Sequence, residues 1–160
     1  VDKFVFYDDA KYIKGGWINK NYFPNLFTFR LKKHSDYARI NQCYFLDIEE
    51  DKRDFLNKTG LKQAKKYLDL LKQEDSLAVN VYWVTRKICD DLKIHTPFYL
   101  SSAIPHGKFT QGILDIVKAL NGDTYVNLPG GRSLYTQEMF GDIKLEFIET
   151  KPGFSILCNL

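Results

Sequence analysis

The chain has 160 residues, of which 44% are hydrophobic, 27% charged and 15% aromatic, a length and balance that fit one folded domain and exclude a largely disordered chain. A formal charge of +3, from 23 basic and 20 acidic residues, is too slight for a nucleic-acid binder, which needs a concentrated basic face. No apolar run approaches the roughly 20 residues that span a bilayer.

Val1-Asp2-Lys3 opens neither a signal nor a transit peptide and has no initiator Met, so the chain is expected to be a fragment or a trimmed piece. Phe4-Val5-Phe6-Tyr7 is a run of strand formers that ends in Asp8-Asp9. Residues 10–24, with Gly15-Gly16 and Pro24, are expected to form a long aromatic-rich loop. Phe27, Phe29 and Leu31 alternate with polar residues at strand period. Ile40 to Ile48 is a second strand candidate, and the two together suggest a hairpin with His34-Ser35-Asp36 near its turn. Arg30, Lys32, Lys33 and His34 are interrupted by an apolar position and suit a solvated edge.

The middle of the chain has helical spacing. Leu61, Ala64, Leu68 and Leu71 recur at three and four, as do Leu77, Val81, Val84, Ile88 and Leu92. Asp75-Ser76 separates them as a break and N-cap. Strand and helix then alternate. Pro97 to Leu100 is a strand ending in Ser101-Ser102. Ile113, Ile116, Val117 and Leu120 mark a helix that stops at Asn121-Gly122. Thr124 to Val126 is a strand ending in Leu128-Pro129-Gly130-Gly131, and Lys144 to Ile148 is the last strand, after a short helix near Thr136 to Phe140. This order predicts an α/β fold in a single domain over 1–160, with a mixed, partly parallel sheet and flanking helices. Cys43, Cys89 and Cys158 stand far apart in apolar stretches, with no metal-ligand spacing, and read as reduced, buried thiols of a cytoplasmic protein.

Three candidate features fall at strand exits, where open α/β sheets bind ligands. If the strands are parallel, the three loops share one crevice. Asp8 and Asp9 suit acid–base chemistry or Mg²⁺, although neighbours on a strand face opposite ways, so one of the two is expected in any site. Ser101 and Ser102 precede Gly107, Lys108 and Thr110 at a helix start. Unpaired N–H groups there suit an anion, and the other reading is a polar loop with Thr110 as N-cap. Gly130, Gly131 and Arg132 offer bare backbone and a forked cation for phosphate or carboxylate, or simply a turn. Trp17, Asn19 and Asn21, with Tyr12, Tyr22 and Phe23, suit stacking on a sugar or base, or a loop packed on the core. His106 precedes the Gly107 loop, and a Ser-His-Asp arrangement of Ser101 or Ser102, His106 and an Asp is a further option.

These residues also resemble a family. Asp2 to Asp9, Lys14 to Trp17, Asn19 and Asn21 are similar to the early block of the WbqC-like family. Leu31-Lys32-Lys33 with Ile40-Asn41 resembles its second block. Ser101-Ser102, Gly107, Lys108 and Thr110, leading into Ile113-Leu114-Asp115-Ile116, resembles the third. Thr124-Tyr125, Pro129-Gly130-Gly131 and Tyr135, running on to Ile143 to Phe147, resembles the fourth. The family's early His-Gln-Pro segment has no counterpart here. Phe154 to Leu157 resembles its late apolar segment, with Cys158 in place of an Asp. Relative to the family, both ends are therefore expected to be cut back. The resemblance implies bacterial surface-polysaccharide assembly of the O-antigen type. Acyl or aminoacyl transfer to a nucleotide-linked amino sugar would fit, as would a non-catalytic binding module in an assembly complex. On the transferase reading, Gly107, Lys108, Thr110, Gly130, Gly131 and Arg132 hold phosphates. Trp17, Asn19 and Asn21 then contact the sugar or acyl part, and Asp8 or Asp9 positions the amine, acts as base or holds a metal.

Overall fold

The computed structural model describes residues 1–23, 25–149 and 157; the expectations for Pro24, for Phe154 to Ile156 and for Cys158 lie outside the described residues. Strand β1 (Phe4–Phe6) runs parallel to a strand from the far side of the helical region, Phe98–Leu100, with Phe4 opposite Phe98 and Phe6 opposite Leu100. A parallel pair needs a long crossover, and here the crossover carries most of the protein's helices.

The expected loop at 10–24 contains a strand. β2 (Lys20–Tyr22) pairs antiparallel with β3 (Leu26–Thr28). Asn21-Tyr22 and Leu26-Phe27-Thr28 close a short hairpin, with the Phe23 N–H donating to the Asn25 carbonyl. The strand expected over Ile40 to Ile48 is also corrected. Ile40–Gln42 is a 3-10 turn, and Tyr44 and Phe45 make only single bridges, to Ser76 and Leu31. The expected hairpin survives as that one Leu31–Phe45 bridge and its flanking backbone bonds.

Helix α1 (Ile48–Thr59) carries only Ile48, Phe55 and Leu56 as apolar residues, and the spacing argument passes over it. Its ends are nevertheless written in the sequence. Asp47 accepts the Glu50 N–H as N-cap, Glu49, Glu50 and Asp51 fill the first turn, and Gly60 closes the helix at φ 68°. The Leu61 to Leu71 pattern becomes a 3-10 turn, Lys62–Ala64, running into the single-turn α2 (Lys65–Leu68). Helix α3 (Leu77–Asp91) starts where Ser76 predicts, its hydroxyl accepting the Val79 N–H.

β4 is the Phe98–Leu100 strand. After it come α4 (Phe109–Ala119), β5 (Thr124–Asn127) and β6 (Lys144–Phe147), with β5 and β6 parallel and joined by two 3-10 turns. The fold is α/β, and its sheet content is mixed and partly parallel. Among the described residues it is divided into three two-stranded pairs.

The main core gathers the aromatics of the first half. Phe55 is fully buried, with Phe23 and Phe27 edge-on at 4.9 and 5.1 Å. A smaller core forms under α4 around Ile113, Phe140 and Ile143. Between the two, Phe4, Phe6 and Phe98 pack with Tyr82 of α3, ring centres 4.9–6.0 Å apart, and seat the β1–β4 pair on that helix. Cys43 is buried and Cys89 half-buried, both as free thiols. Among the described residues no helix is long and apolar enough to cross a membrane.

Candidate functional site

β1 and β4 end side by side, so the residues just past them meet. Asp8 is 4% exposed and Ser101 is fully buried. The Ser101 hydroxyl lies 3.0 Å from Asp8 Oδ1 and also contacts Asp9 Oδ1. Ser102 donates its N–H to Asp8 Oδ1 at 2.9 Å and its hydroxyl to Oδ2 at 2.7 Å. Asn41 Nδ2 donates to the same Oδ2 at 3.1 Å, and the Asn41 N–H donates to the Asp8 carbonyl. Both aspartates therefore enter the site, against the expectation of one. They lie in a turn beyond the strand, so the pleat's alternation no longer separates them.

Asp8 accepts at both oxygens. Burial pushes its carboxyl up, but the hydrogen bonds from Ser102, Asn41 and Ser101 outweigh this and hold it below the usual carboxylate range. Each of its oxygens faces two partners, so Mg²⁺ could bind Asp8 only by displacing them. Among the described residues, no group of three His, Cys, Asp or Glu side chains is placed to hold a metal.

Behind Asp9 stands His106. Its Nε2 is 3.2 Å from Asp9 Oδ2, and its Nδ1 is 2.7 Å from the Ile104 carbonyl oxygen. A carbonyl only accepts, so Nδ1 carries a hydrogen. The Ser-His-Asp order is thus corrected: Asp9 lies between the serine and the histidine, and Ser101 is sealed from solvent. The side chain of Asp9 is 16% exposed and that of His106 is 8% exposed, which makes the carboxyl the outer member of the pair.

Tyr7 and Asn41 were not singled out in the sequence, although both lie inside the resemblance blocks. The Tyr7 ring sits 5.7 Å from the His106 ring. Burial raises the Tyr7 hydroxyl's pKa, and Asp9 and Tyr135 raise it further. Tyr125 is pushed up to about 12 by burial, with Tyr135 and Tyr7 adding to it.

The Gly107 loop is engaged by its own helix. The Gly107 N–H donates to Asp115 Oδ2 at 2.8 Å, and Gln111 holds Asp115 Oδ1 at 2.7 Å. These bonds, the Gly107 one first, hold the Asp115 carboxyl below its usual range. The N-cap is Lys108, not Thr110, and its side chain makes no cap bond. The loop approaches so closely that a Cβ at Gly112 would collide with the Gly107 carbonyl, which explains a glycine inside this helix. What remains for an anion is the first-turn N–H groups and the exposed Lys108.

The third strand exit does not join the first two. β5 pairs with β6 and not with β4, so its exit belongs to another sheet. Arg132 is bonded to Glu149 at 2.6 Å and lies over the Phe147 ring. A Cβ at Gly131 would collide with the Asn127 amide, so Gly131 serves close packing, while Gly130 faces open space. From this segment Tyr135 adds to the upward push on the Tyr7 hydroxyl's pKa.

Trp17, Asn19 and Asn21 lie elsewhere again. They stand at a cavity of about 360 Å³ in the helical half, whose inner wall includes Phe29, Phe55 and Val84 and none of the Asp8–His106 residues. Asn19 accepts from the Tyr12 hydroxyl at 3.0 Å and donates to the Phe29 carbonyl at 2.7 Å, so it is part of the frame. Asn21 Oδ1 accepts the Tyr22 N–H. Trp17 is 61% exposed, with Lys20 over its ring.

The centre thus ties together three of the four blocks: Asp8 and Asp9 from the first, Asn41 from the second, Ser101 and Ser102 from the third. A sequence model of the WbqC-like protein family matches residues 1–156, and the chain belongs to that family. No curated protein and no solved structure matches the chain.

Proposed function

We propose that the protein is a cytoplasmic enzyme of bacterial surface-polysaccharide assembly that transfers an acyl or aminoacyl group to the amine of a nucleotide-linked sugar. The observation that supports this reading is Asp9. It is a carboxyl at paired strand exits, backed by His106 on one oxygen and Ser101 on the other, and it is more exposed than either. Such a group moves protons between reacting atoms. The amine nitrogen attacks the carbonyl carbon of an activated donor of the thioester class. The new C–N bond forms as the carbon–sulfur bond breaks, and Asp9 carries the amine's proton to the departing thiolate. Ser101 is too deeply buried to act as a nucleophile. On this reading Lys108 and the first-turn N–H groups of α4 meet the phosphates, with Arg132 further out.

The test is thermal unfolding of the whole chain against a panel of nucleotide sugars and acyl thioesters. Acyl transfer is then followed by mass spectrometry in the wild type and in Asp9→Asn. A ligand at 100 times its dissociation constant adds about 2.7 kcal/mol, a shift of roughly 5–10 °C. Asp9→Asn is expected to keep the shift and lose turnover. Stabilisation by no nucleotide sugar, or full turnover in Asp9→Asn, overturns the reading.

A further inference from the structure

The cavity of about 360 Å³ behind Trp17 takes no part in the chemistry at Asp9. Interiors are close-packed and leave few voids larger than a water, whereas a space of this size belongs with small-molecule pockets. Its wall is mostly hydrocarbon. Helix α3 turns Val81, Val84 and Ile88 toward it, at steps of three and four. All three stay half-buried, although the stripe begins at the fully buried Leu77. Polar groups of the wall are committed elsewhere. Asn19 is held by the Tyr12 hydroxyl and the Phe29 carbonyl, and the Tyr67 hydroxyl donates to Asp91 at 2.8 Å. Among the described lining residues one side chain is charged, Lys20. It is half-buried, its ammonium stands 5.0 Å from the centre of the exposed Trp17 ring, and it makes no ion pair among the described residues.

An apolar space with one unpaired cation suits a long apolar body with one anionic end. A single ammonium matches a carboxylate better than a phosphate monoester, which carries up to about two charges. A methylene needs about as much room as a water, about 30 Å³, so the space takes a chain of roughly ten carbons. We propose that this cavity binds an aliphatic carboxylate of about that length, with its chain along the Val81, Val84 and Ile88 face and its carboxylate at Lys20. The cavity shares no lining residue with the Asp9 centre, so the site stands or falls without the acyl-transfer reading.

The probes are straight-chain carboxylates from hexanoate to tetradecanoate, titrated calorimetrically into the whole chain. Affinity is expected to rise about fourfold for each carbon that enters the cavity, and to level off at about ten to twelve carbons, when the space is full. No binding overturns the proposal, as does a rise that continues unbroken to tetradecanoate, which is how a chain partitions onto an open surface. Lys20→Gln is expected to weaken decanoate about tenfold and to leave uncharged decanol alone. Unchanged decanoate affinity in that variant overturns the carboxylate end. Val84→Trp fills the cavity and is expected to abolish binding without lowering the melting temperature. A folded Val84→Trp that binds decanoate like the wild type puts the ligand elsewhere and overturns the site; if that variant does not fold, the chain-length limit and Lys20→Gln still decide. The same chain also occurs as the acyl part of a thioester. The uncharged decanoyl N-acetylcysteamine thioester is expected to bind more weakly than decanoate, because it brings no charge to Lys20. Tighter binding of the thioester would give the cavity to an acyl donor and overturn the carboxylate assignment.

Discussion

Asn80 and Asp8 are both buried polar side chains with every oxygen engaged, and they differ in where their partners come from. Asn80 is 0% exposed. Its Oδ1 accepts the Lys72 N–H, and its Nδ2 faces the carbonyls of Lys72, Asp75 and Ser76. All four contacts go to backbone within eight residues, and they fix the turn that enters α3. The Asp8 cluster draws its partners from distant segments, with Ser101 and Ser102 more than 90 residues away and Asn41 33 away. Most of those partners are side chains. Asn80 leaves no labile proton to place, whereas the Asp8 cluster has more contacts than fixed hydrogens. A buried polar group satisfied by nearby backbone holds a fold; one that gathers titratable side chains from far apart can move a proton.

The contrast breaks if the two hubs respond alike to mutation. Asn80→Ala strips four contacts and strands buried backbone groups, so it is expected to cost about 3 kcal/mol. For a chain of this length that lowers the melting temperature by roughly 6–12 °C. Any ligand affinity, measured below the melting point, should stay unchanged. Asp8→Asn is expected to cost about 2 kcal/mol at neutral pH, because an amide cannot accept at both positions. Its effect depends on pH in a defined direction. The Asp8 carboxyl is held below its usual range, so its stabilisation is present above the ordinary aspartate value and is lost as pH falls through the lowered one. Denaturant unfolding at a series of pH values should show wild type and Asp8→Asn converging below about pH 4. A gap that stays constant into acid would place the stabilisation outside the carboxylate.

Helix α3 and the strands at Phe4, Phe98, Thr124 and Lys144 were legible because their signals are local: an apolar period, a Ser76 cap, short runs of β formers. Helix α1 was not, because its buried face rests on little more than Ile48, Asp51 and Phe55, and only its caps mark it. The meeting of Ser101 with an aspartate follows from the β1–β4 pairing, which strand-exit reasoning anticipates; the entry of both Asp8 and Asp9 does not, because they lie in a turn past the strand. The separation of Arg132 from that centre does not, since no local signal says that β5 pairs with β6 alone. The role of Asp115 was equally hidden. A carboxylate in the second turn of a helix reads as a solvated residue until the loop before it folds back onto it.

Among the phosphate candidates the structure ranks the effects. Lys108 makes no ion pair among the described residues, so Lys108→Ala is expected to weaken a nucleotide ligand by about tenfold, one charge-assisted bond. Arg132 is already bonded to Glu149, so Arg132→Ala should cost less. Titration calorimetry with the nucleotide sugar found in the unfolding panel measures both. Unchanged affinity in the two variants removes the phosphate assignment while leaving the acid–base centre standing.

The smallest effect sharpens the contrast within the Trp17 group. Trp17 is mostly exposed and Asn19 is built into the frame, so the two should separate cleanly. Asn19→Ala loses the Tyr12 and Phe29 bonds and should lower stability by about 1–2 kcal/mol. Trp17→Ala should change stability by no more than about 0.5 kcal/mol, as surface substitutions do. If the cavity behind Trp17 receives the acyl part, Trp17→Ala reduces affinity for the acyl thioester a few-fold and leaves the bare nucleotide's affinity alone. The cavity shares no lining residue with the Asp9 centre, so a substrate that touches both must span the ground between them. Equal affinities for long and short acyl donors in wild type and Trp17→Ala would confine the chemistry to the strand exits and return the Trp17 wall to the core.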